Sequence, residues 1–388
     1  MSLPSPTRPN SGGNAWVFQG WFTEADGGTR VFAGPTGTHF ARTTTVYARW
    51  TVRPNINLRE DCPKEILDSL DWLKDVRHRQ EPTIYRGTNN NTTISGQNWM
   101  FDQIWGGDGT YNWAIRWEST TAITLANRRN ISTMLYEATN QWTRNLIGMP
   151  GWEFGEIPVT VVGWAVTDGA RILERQPNEL VWVNNTHANP QSMAGVRLDL
   201  MASAPNSMSR RINLNGVRNG TFQYSLDGTA ATRGLHNRFD QYLWCTEFDF
   251  GAAGHGFDWG TRMRSARIAT DSNNARVSTL NAQGQNTGGN AGSGVLLHEI
   301  GHSVCLYDLY GGTSRPPATS VADSGGNRNF GSGQLVTVMD SARATTLGAY
   351  DHWMIRYYWD WFYHHPTSWN AAGTQQTRFV RPANAPVR

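Results

Sequence analysis

Two histidines four residues apart bracket a glutamate in Val295-Leu296-Leu297-His298-Glu299-Ile300-Gly301-His302-Ser303-Val304. On an α-helix, positions i and i+4 project from one face, so the imidazoles of His298 and His302 can close on a single metal ion, with Glu299 beside them. Neutral imidazole nitrogen suits Zn²⁺. A catalytic zinc takes three protein ligands and keeps a fourth position for water, whose pKa falls to about 7. Glu299 is then the general base that takes a proton from that water and carries it to a leaving amine. The pattern predicts metal-assisted amide hydrolysis. A helix with two unrelated histidines is the competing reading, and the apolar flanks Val295-Leu296-Leu297 and Val304 weigh against it, because they set such a helix into a core.

The third ligand must be an aspartate or a histidine, since no glutamate follows Glu299 and a glutamate ligand on a later helix is thereby excluded. Asp308 lies six residues past His302, in His-Glu-x-x-His-x-x-x-x-x-Asp. That spacing resembles the metzincin peptidases, which place their third ligand at this distance after the chain turns out of the helix. Asp308 is the expected ligand, with Asp323, Asp340, His352, His364 and His365 in reserve; a helix-end or calcium-binding carboxylate is its competing role. Metzincins carry glycine three residues after the second histidine, whereas Cys305 stands there, expected as a small buried residue. Val338-Met339-Asp340 resembles the Met-turn, which would put Met339 beneath the ligands. Tyr307, Tyr310 and Tyr350 lie near enough in sequence to offer a phenol to an oxyanion, although packing is their expected role.

Taken together, these motifs and Leu347-Gly348-Ala349-Tyr350-Asp351-x-Trp353 resemble the M6 family, the immune inhibitor A-like metallopeptidases. The resemblance is confined to the stretch between His298 and Trp353. It implies a secreted bacterial endopeptidase that holds zinc, and often structural calcium, and acts on a protein or peptide substrate. Two rival functions stand beside it: a non-catalytic surface adhesin with a structural zinc site, and a zinc hydrolase acting on non-peptide amides. A structural site needs no general base, so Glu299 argues for catalysis.

These residues need a scaffold. Apolar periodicity predicts the metal-bearing helix over residues 294–306 and a strongly aromatic one over 346–362, with a Gly, Ser and Asn rich loop at 311–333 between them. Further helices are expected over 61–79 and 130–146, a β-branched strand over 159–166 and another around Gln241-Tyr242-Leu243-Trp244. The expected fold class is α/β (α+β): a metzincin-like zinc peptidase domain over 120–365, with a mixed sheet and an active-site helix. Residues 53–119 are read as a connecting region of unassigned role and 366–388 as a tail.

Residues 14–52 alternate apolar and polar side chains between turn signals, as in a small antiparallel β unit. Phe18-x-Gly20-Trp21-Phe22-Thr23, Asp26-Gly27-Gly28-Thr29 and Thr45-Val46-Tyr47-Ala48-Arg49-Trp50 resemble the Listeria-Bacteroides repeat, or internalin B repeat. This implies a β-grasp-like module of bacterial surface and secreted proteins, and with it an extracellular location. Residues 1–13 read as a Pro, Ser and Gly rich linker without the apolar core of a secretory signal.

Bulk properties set the outer limits. The chain has 388 residues, 38% apolar and only 17% charged, with 18 Trp, which describes a folded, aromatic-packed protein larger than one growing core. Its net charge of +3 rests almost wholly on arginine, Lys64 and Lys74 being the only lysines. No basic run forms a nucleic-acid footprint, and no stretch of about 18 apolar residues could span a membrane. Three cysteines, Cys62, Cys245 and Cys305, allow at most one bridge within the chain and leave the compartment open. No feature sets an oligomeric state.

Overall fold

Alternation of large apolar and polar side chains in Tyr111-Asn112-Trp113-Ala114-Ile115-Arg116-Trp117-Glu118 builds the central strand of the molecule. The structure, a computed structural model, describes residues 16–26, 30–31, 45–74, 100–106, 109–183, 204, 239–247, 254–257, 260–264, 268, 292–304, 306, 308–309, 320–322, 328–330, 337–341, 347–364, 367–369 and 375–377.

Strands β1 (Trp16–Phe22), β2 (Arg30–Val31) and β3 (Tyr47–Val52) form an antiparallel sheet in the order β2-β1-β3. This agrees with the antiparallel pattern read in residues 14–52. The module is tied to the segment around residues 152–156: the Phe18 carbonyl accepts from the Glu156 amide at 3.3 Å, and Arg53 donates to the carbonyls of Trp152 and Glu153 at 2.8 Å each. The single helix expected over 61–79 is two pieces, α1 (Leu58–Asp61) and α2 (Lys64–Trp72), broken at Cys62-Pro63, where proline cannot donate to the preceding turn. Residues 75–79 lie outside the described residues. Helix α3 (Met100–Gly106) buries Met100, Phe101 and Ile104.

The main sheet has six strands, β4 (Tyr111–Glu118), β5 (Val159–Val166), β6 (Val181–Val183), β7 (Gln241–Thr246), β8 (Gly254–Phe257) and β9 (Gly260–Arg264). Its order is β6-β5-β4-β7-β9-β8, parallel throughout except for β8, which pairs antiparallel with β9 at the edge. The fold is therefore mixed α/β. Strand β4 lies at the centre, although residues 53–119 were expected to be a connector, so the sheet unit begins upstream of residue 120.

Helix α4 (Leu125–Thr143) supplies the crossover that parallel β4 and β5 require. It starts earlier than the expected 130 because Thr124 caps it, its hydroxyl accepting from the Asn127 amide at 3.2 Å. One face of the sheet packs Trp113, Ile115, Trp117, Leu243, Cys245 and Met263 against α4 and helix α5 (Gly292–Ser303). On the other face Ala114, Val162 and Trp182 are buried, and Arg116 stacks over Tyr242 at 3.8 Å. Burial of both faces is the rule for parallel strands.

Beyond α5 come the hairpin strands β10 (Ser320–Ala322) and β11 (Arg328–Phe330), inside the expected 311–333 loop, and the short helix α6 (Val338–Ser341). Helix α7 (Ala349–His364) then packs back on α2, where the Tyr350 hydroxyl and Ser69 share a hydrogen bond of 2.7 Å. Strands β12 (Thr367–Trp369) and β13 (Gln375–Thr377) pair antiparallel in the expected tail. Among the described residues no helix is long and apolar enough to cross a membrane. Cys62 and Cys245 are free, buried thiols, and burial pushes Cys62 up to about 12. Cys305 lies outside the described residues.

Candidate metal centre

Packing sets α5 before any ligand does. Val295, Leu296, Leu297 and Ile300 are buried to 1% exposure or less, and the Trp142 indole of α4 donates to the Leu297 carbonyl at 2.9 Å. These contacts fix the rotation of α5 about its axis. The helix ends where the Gly301 carbonyl accepts from both Val304 and Leu306, each at 3.1 Å, and the chain turns out. Two residues past that turn stands Asp308.

The rings of His298 and His302 are both anchored at Nδ1. His302 Nδ1 lies 2.8 Å from the Leu306 carbonyl, and His298 Nδ1 lies 2.8 Å from the Val338 carbonyl of α6. A carbonyl only accepts, so the neutral tautomer of each ring carries its proton on Nδ1 and presents a lone pair at Nε2. Those lone pairs converge: the two Nε2 atoms are 3.2 Å apart, and Asp308 Oδ1 is 3.0 Å from that of His298 and 3.2 Å from that of His302. Three donors bound at about 2.0–2.1 Å in tetrahedral geometry sit about 3.3–3.4 Å from one another. The observed triangle is close to that size.

Chemistry favours the same reading. Asp308 Oδ1 is buried against the two Nε2 atoms, which have no proton to give it while both rings are neutral. Two lone pairs and an anionic oxygen facing one point repel unless positive charge lies between them. A proton can supply it: against the opposing effect of burial, Asp308 and Glu299 raise His302 to about 9, and the imidazoles hold Asp308 well below the usual carboxylate range. A divalent cation supplies more charge at the same point, so these residues fit zinc.

No protein-family model, curated protein or solved structure matches the chain.

Glu299 completes the cluster, its Oε2 3.9 Å from His302 Nε2. Burial pushes its carboxyl up, opposed by the two imidazoles and by the backbone N–H of Gly256, which donates to it. That amide belongs to edge strand β8, which runs against α5 at this residue. A methyl group on Gly254 would lie 2.6 Å from Glu299 Oε1, and one on Gly256 would lie 2.0 Å from the Glu299 carbonyl oxygen. Only glycine lets the strand come so close.

Met339 packs on α5 at Gly301. A methyl group on Gly301 would meet Met339 Sδ at 2.5 Å and the Trp142 ring at 3.0 Å, so the thioether rests on the helix between the two histidines. The Met339 carbonyl accepts from the Leu309 amide at 2.9 Å, next to Asp308. Helix α6 thus touches both ends of the ligand set.

Of the residues singled out in sequence, the structure brings together His298, Glu299, His302, Asp308 and Met339. His352 is instead on α7, where burial and Arg356 lower its pKa. Tyr350 turns its hydroxyl to Ser69 and is a packing residue. Asp323, His365, Tyr307 and Tyr310 lie outside the described residues, as do the side chains of Asp340 and His364. Among the described residues this is the one cluster of three or more His, Cys, Asp or Glu side chains that could hold a metal ion. Sequence reasoning quoted Val338 and Asp351 within motifs but missed the roles of the Val338 carbonyl and the Asp351 carboxylate, and it missed the β8 glycines. The Gly-x-Gly at 254–256 was the available signal.

Proposed function

We propose that this chain is a secreted or cell-surface zinc-dependent endopeptidase with a metzincin-like catalytic domain, akin to the M6 peptidases. The convergence of His298 Nε2, His302 Nε2 and Asp308 Oδ1 within 3.2 Å of one another carries the proposal. Zinc held there by His298, His302 and Asp308 would supply an acidified water and a Lewis acid for the scissile carbonyl. Glu299 takes the proton and returns it to the leaving nitrogen, and its raised pKa suits both steps. The Gly256 amide keeps the carboxylate aimed, and the two backbone carbonyls keep the imidazoles in the tautomer that binds metal.

Strand β8 favours a peptide over other amides. Among the described residues it pairs only with β9, so its outer edge, running beside Glu299, offers backbone donors and acceptors to an extended chain.

The decisive experiment measures zinc content and casein cleavage on the purified protein. One zinc per chain is expected, with cleavage lost to 1,10-phenanthroline and restored by Zn²⁺. Glu299→Gln should lower cleavage by about 10²–10⁴-fold while zinc remains bound. Wild-type cleavage by that variant would overturn the mechanism, and hydrolysis of glycan amides in mucin with its peptide backbone and casein left intact would move the substrate to non-peptide amides.

A further inference from the structure

Helix α6 is held from behind by one buried side chain. Asp351, in the first turn of α7, has no solvent exposure, and its carboxylate accepts from the Thr337 hydroxyl, from the Val338 amide at 3.1 Å and from the Gly348 amide at 2.9 Å. The Thr337 Oγ1 in turn accepts from the Met339 amide at 3.1 Å. The N–H of Met339 and the C=O of Val338 are the two ends of one peptide unit, and that carbonyl takes the proton of His298 Nδ1 at 2.8 Å.

A continuous line of hydrogen bonds therefore runs from the ring to the carboxylate: His298 Nδ1–H to the Val338 carbonyl, across the peptide to the Met339 N–H, to the Thr337 oxygen, and from the Thr337 hydroxyl to Asp351. Every donor in it points the same way. Bonds aligned head to tail polarise one another, most of all in a dry interior, and an anion at the acceptor end strengthens the whole chain. Thr337, Val338 and Met339 are each buried to 0% exposure, so water does not short-circuit the line.

We infer that Asp351 is a positioning residue for the metal centre, a carboxylate that acts on His298 through Thr337 and the Val338–Met339 peptide. Metal-binding histidines commonly give their second N–H directly to a carboxylate, which fixes the tautomer and raises the basicity of the ligating nitrogen. Here a peptide and a hydroxyl stand between the two. Burial pushes Asp351 up to about 6, against the three donors. The carboxylate is also the group the packing asks for: it offers two acceptor oxygens to three donors, whereas an asparagine would turn an NH₂ group against one of them.

The inference rests on the zinc reading and is tested apart from it by metal affinity and by the melting temperature of the metal-free protein. Thr337→Val interrupts the line but leaves Asp351 its two backbone donors; Thr337→Ser keeps the line intact. Titration against a chromogenic chelator should show Thr337→Val binding zinc about 10–100-fold more weakly than wild type, the usual range for loss of such a partner, with Thr337→Ser near wild type. The metal-free melting temperature of the valine variant should stay close to that of the serine variant. Equal zinc affinity in the valine and serine variants would overturn the inference, as would a loss of affinity that the melting temperature matches. A wild type that binds no zinc would sink the functional reading instead. Should Thr337→Val fail to fold, the zinc-loaded wild type supplies the answer through its His298 Nδ1–H proton resonance. That signal should be shifted downfield and slow to exchange with solvent; rapid exchange would overturn the inference.

Discussion

The two histidines meet the same kind of acceptor at the same distance, 2.8 Å, by opposite routes. His302 finds its carbonyl at Leu306, four residues on, in the turn that ends its own helix. His298 finds its carbonyl at Val338, forty residues away, on a separate element that a buried carboxylate of a third element holds in place. One ring is oriented by local chain geometry and the other by tertiary structure. Damage to the fold therefore reaches the two ligands unequally.

The largest expected effect treats the two alike. His298→Ala and His302→Ala each remove one of the three donors of the proposed zinc site, so each should weaken zinc by at least about 10²-fold in chelator competition. A variant that keeps wild-type affinity would remove its histidine from the ligand set.

Gly301→Ala separates them. The added methyl presses on Met339 and hence on the α6 segment that carries the His298 acceptor, while the Leu306 contact is left alone. Overpacking of this kind costs about 1–3 kcal/mol, offset by about 1 kcal/mol of helix propensity, so the melting temperature should fall. A rise would show that Met339 yields without cost.

Proton release sharpens the contrast from the side of His302. Its pKa, raised to about 9 in the metal-free chain, lies above the value of about 6.5 in an unfolded chain, so it favours the folded state fully below about 6.5 and loses that contribution as the pH rises through about 9. At pH 7.5 the ring is protonated and must lose that proton to bind metal. Calorimetry in buffers of different ionisation enthalpy should count about one proton released per zinc, with affinity falling about tenfold for each pH unit below 9. Zero protons released would mean that His302 is already neutral.

The smallest effect on metal is expected from Arg53→Ala, which cuts the ties between the N-terminal module and the Trp152 and Glu153 carbonyls. Stability should drop by about 1–3 kcal/mol in urea unfolding, with zinc affinity unchanged. A change in zinc affinity would show that the module reaches the metal site after all.

The same division between local and distant explains which features the sequence made legible. His298, Glu299 and His302 follow from helical spacing, and Asp308 from the absence of a later glutamate and the likeness of its spacing to the metzincins. Val159–Val166 declared itself as a strand by its β-branched run. The central strand Tyr111–Glu118 did not, because its period-two alternation sits among Asn, Gly and Trp residues and both of its faces are buried. Asp351 stood in the sequence only as one letter of the Leu347–Trp353 motif; its contacts arise only when the fold brings α6 against α7. The β8 glycines left only a Gly254-x-Gly256 spacing, which does not say which helix the strand approaches.

Water reaches the three donors unequally. The side chain of His298 is 3% exposed, that of His302 17% and that of Asp308 37%. On the proposed zinc reading, a cation entering from solvent would meet the carboxylate first, where water is still at hand, and the histidines afterwards. A substitution at Asp308 should then change metal exchange kinetics more than a substitution behind the rings does.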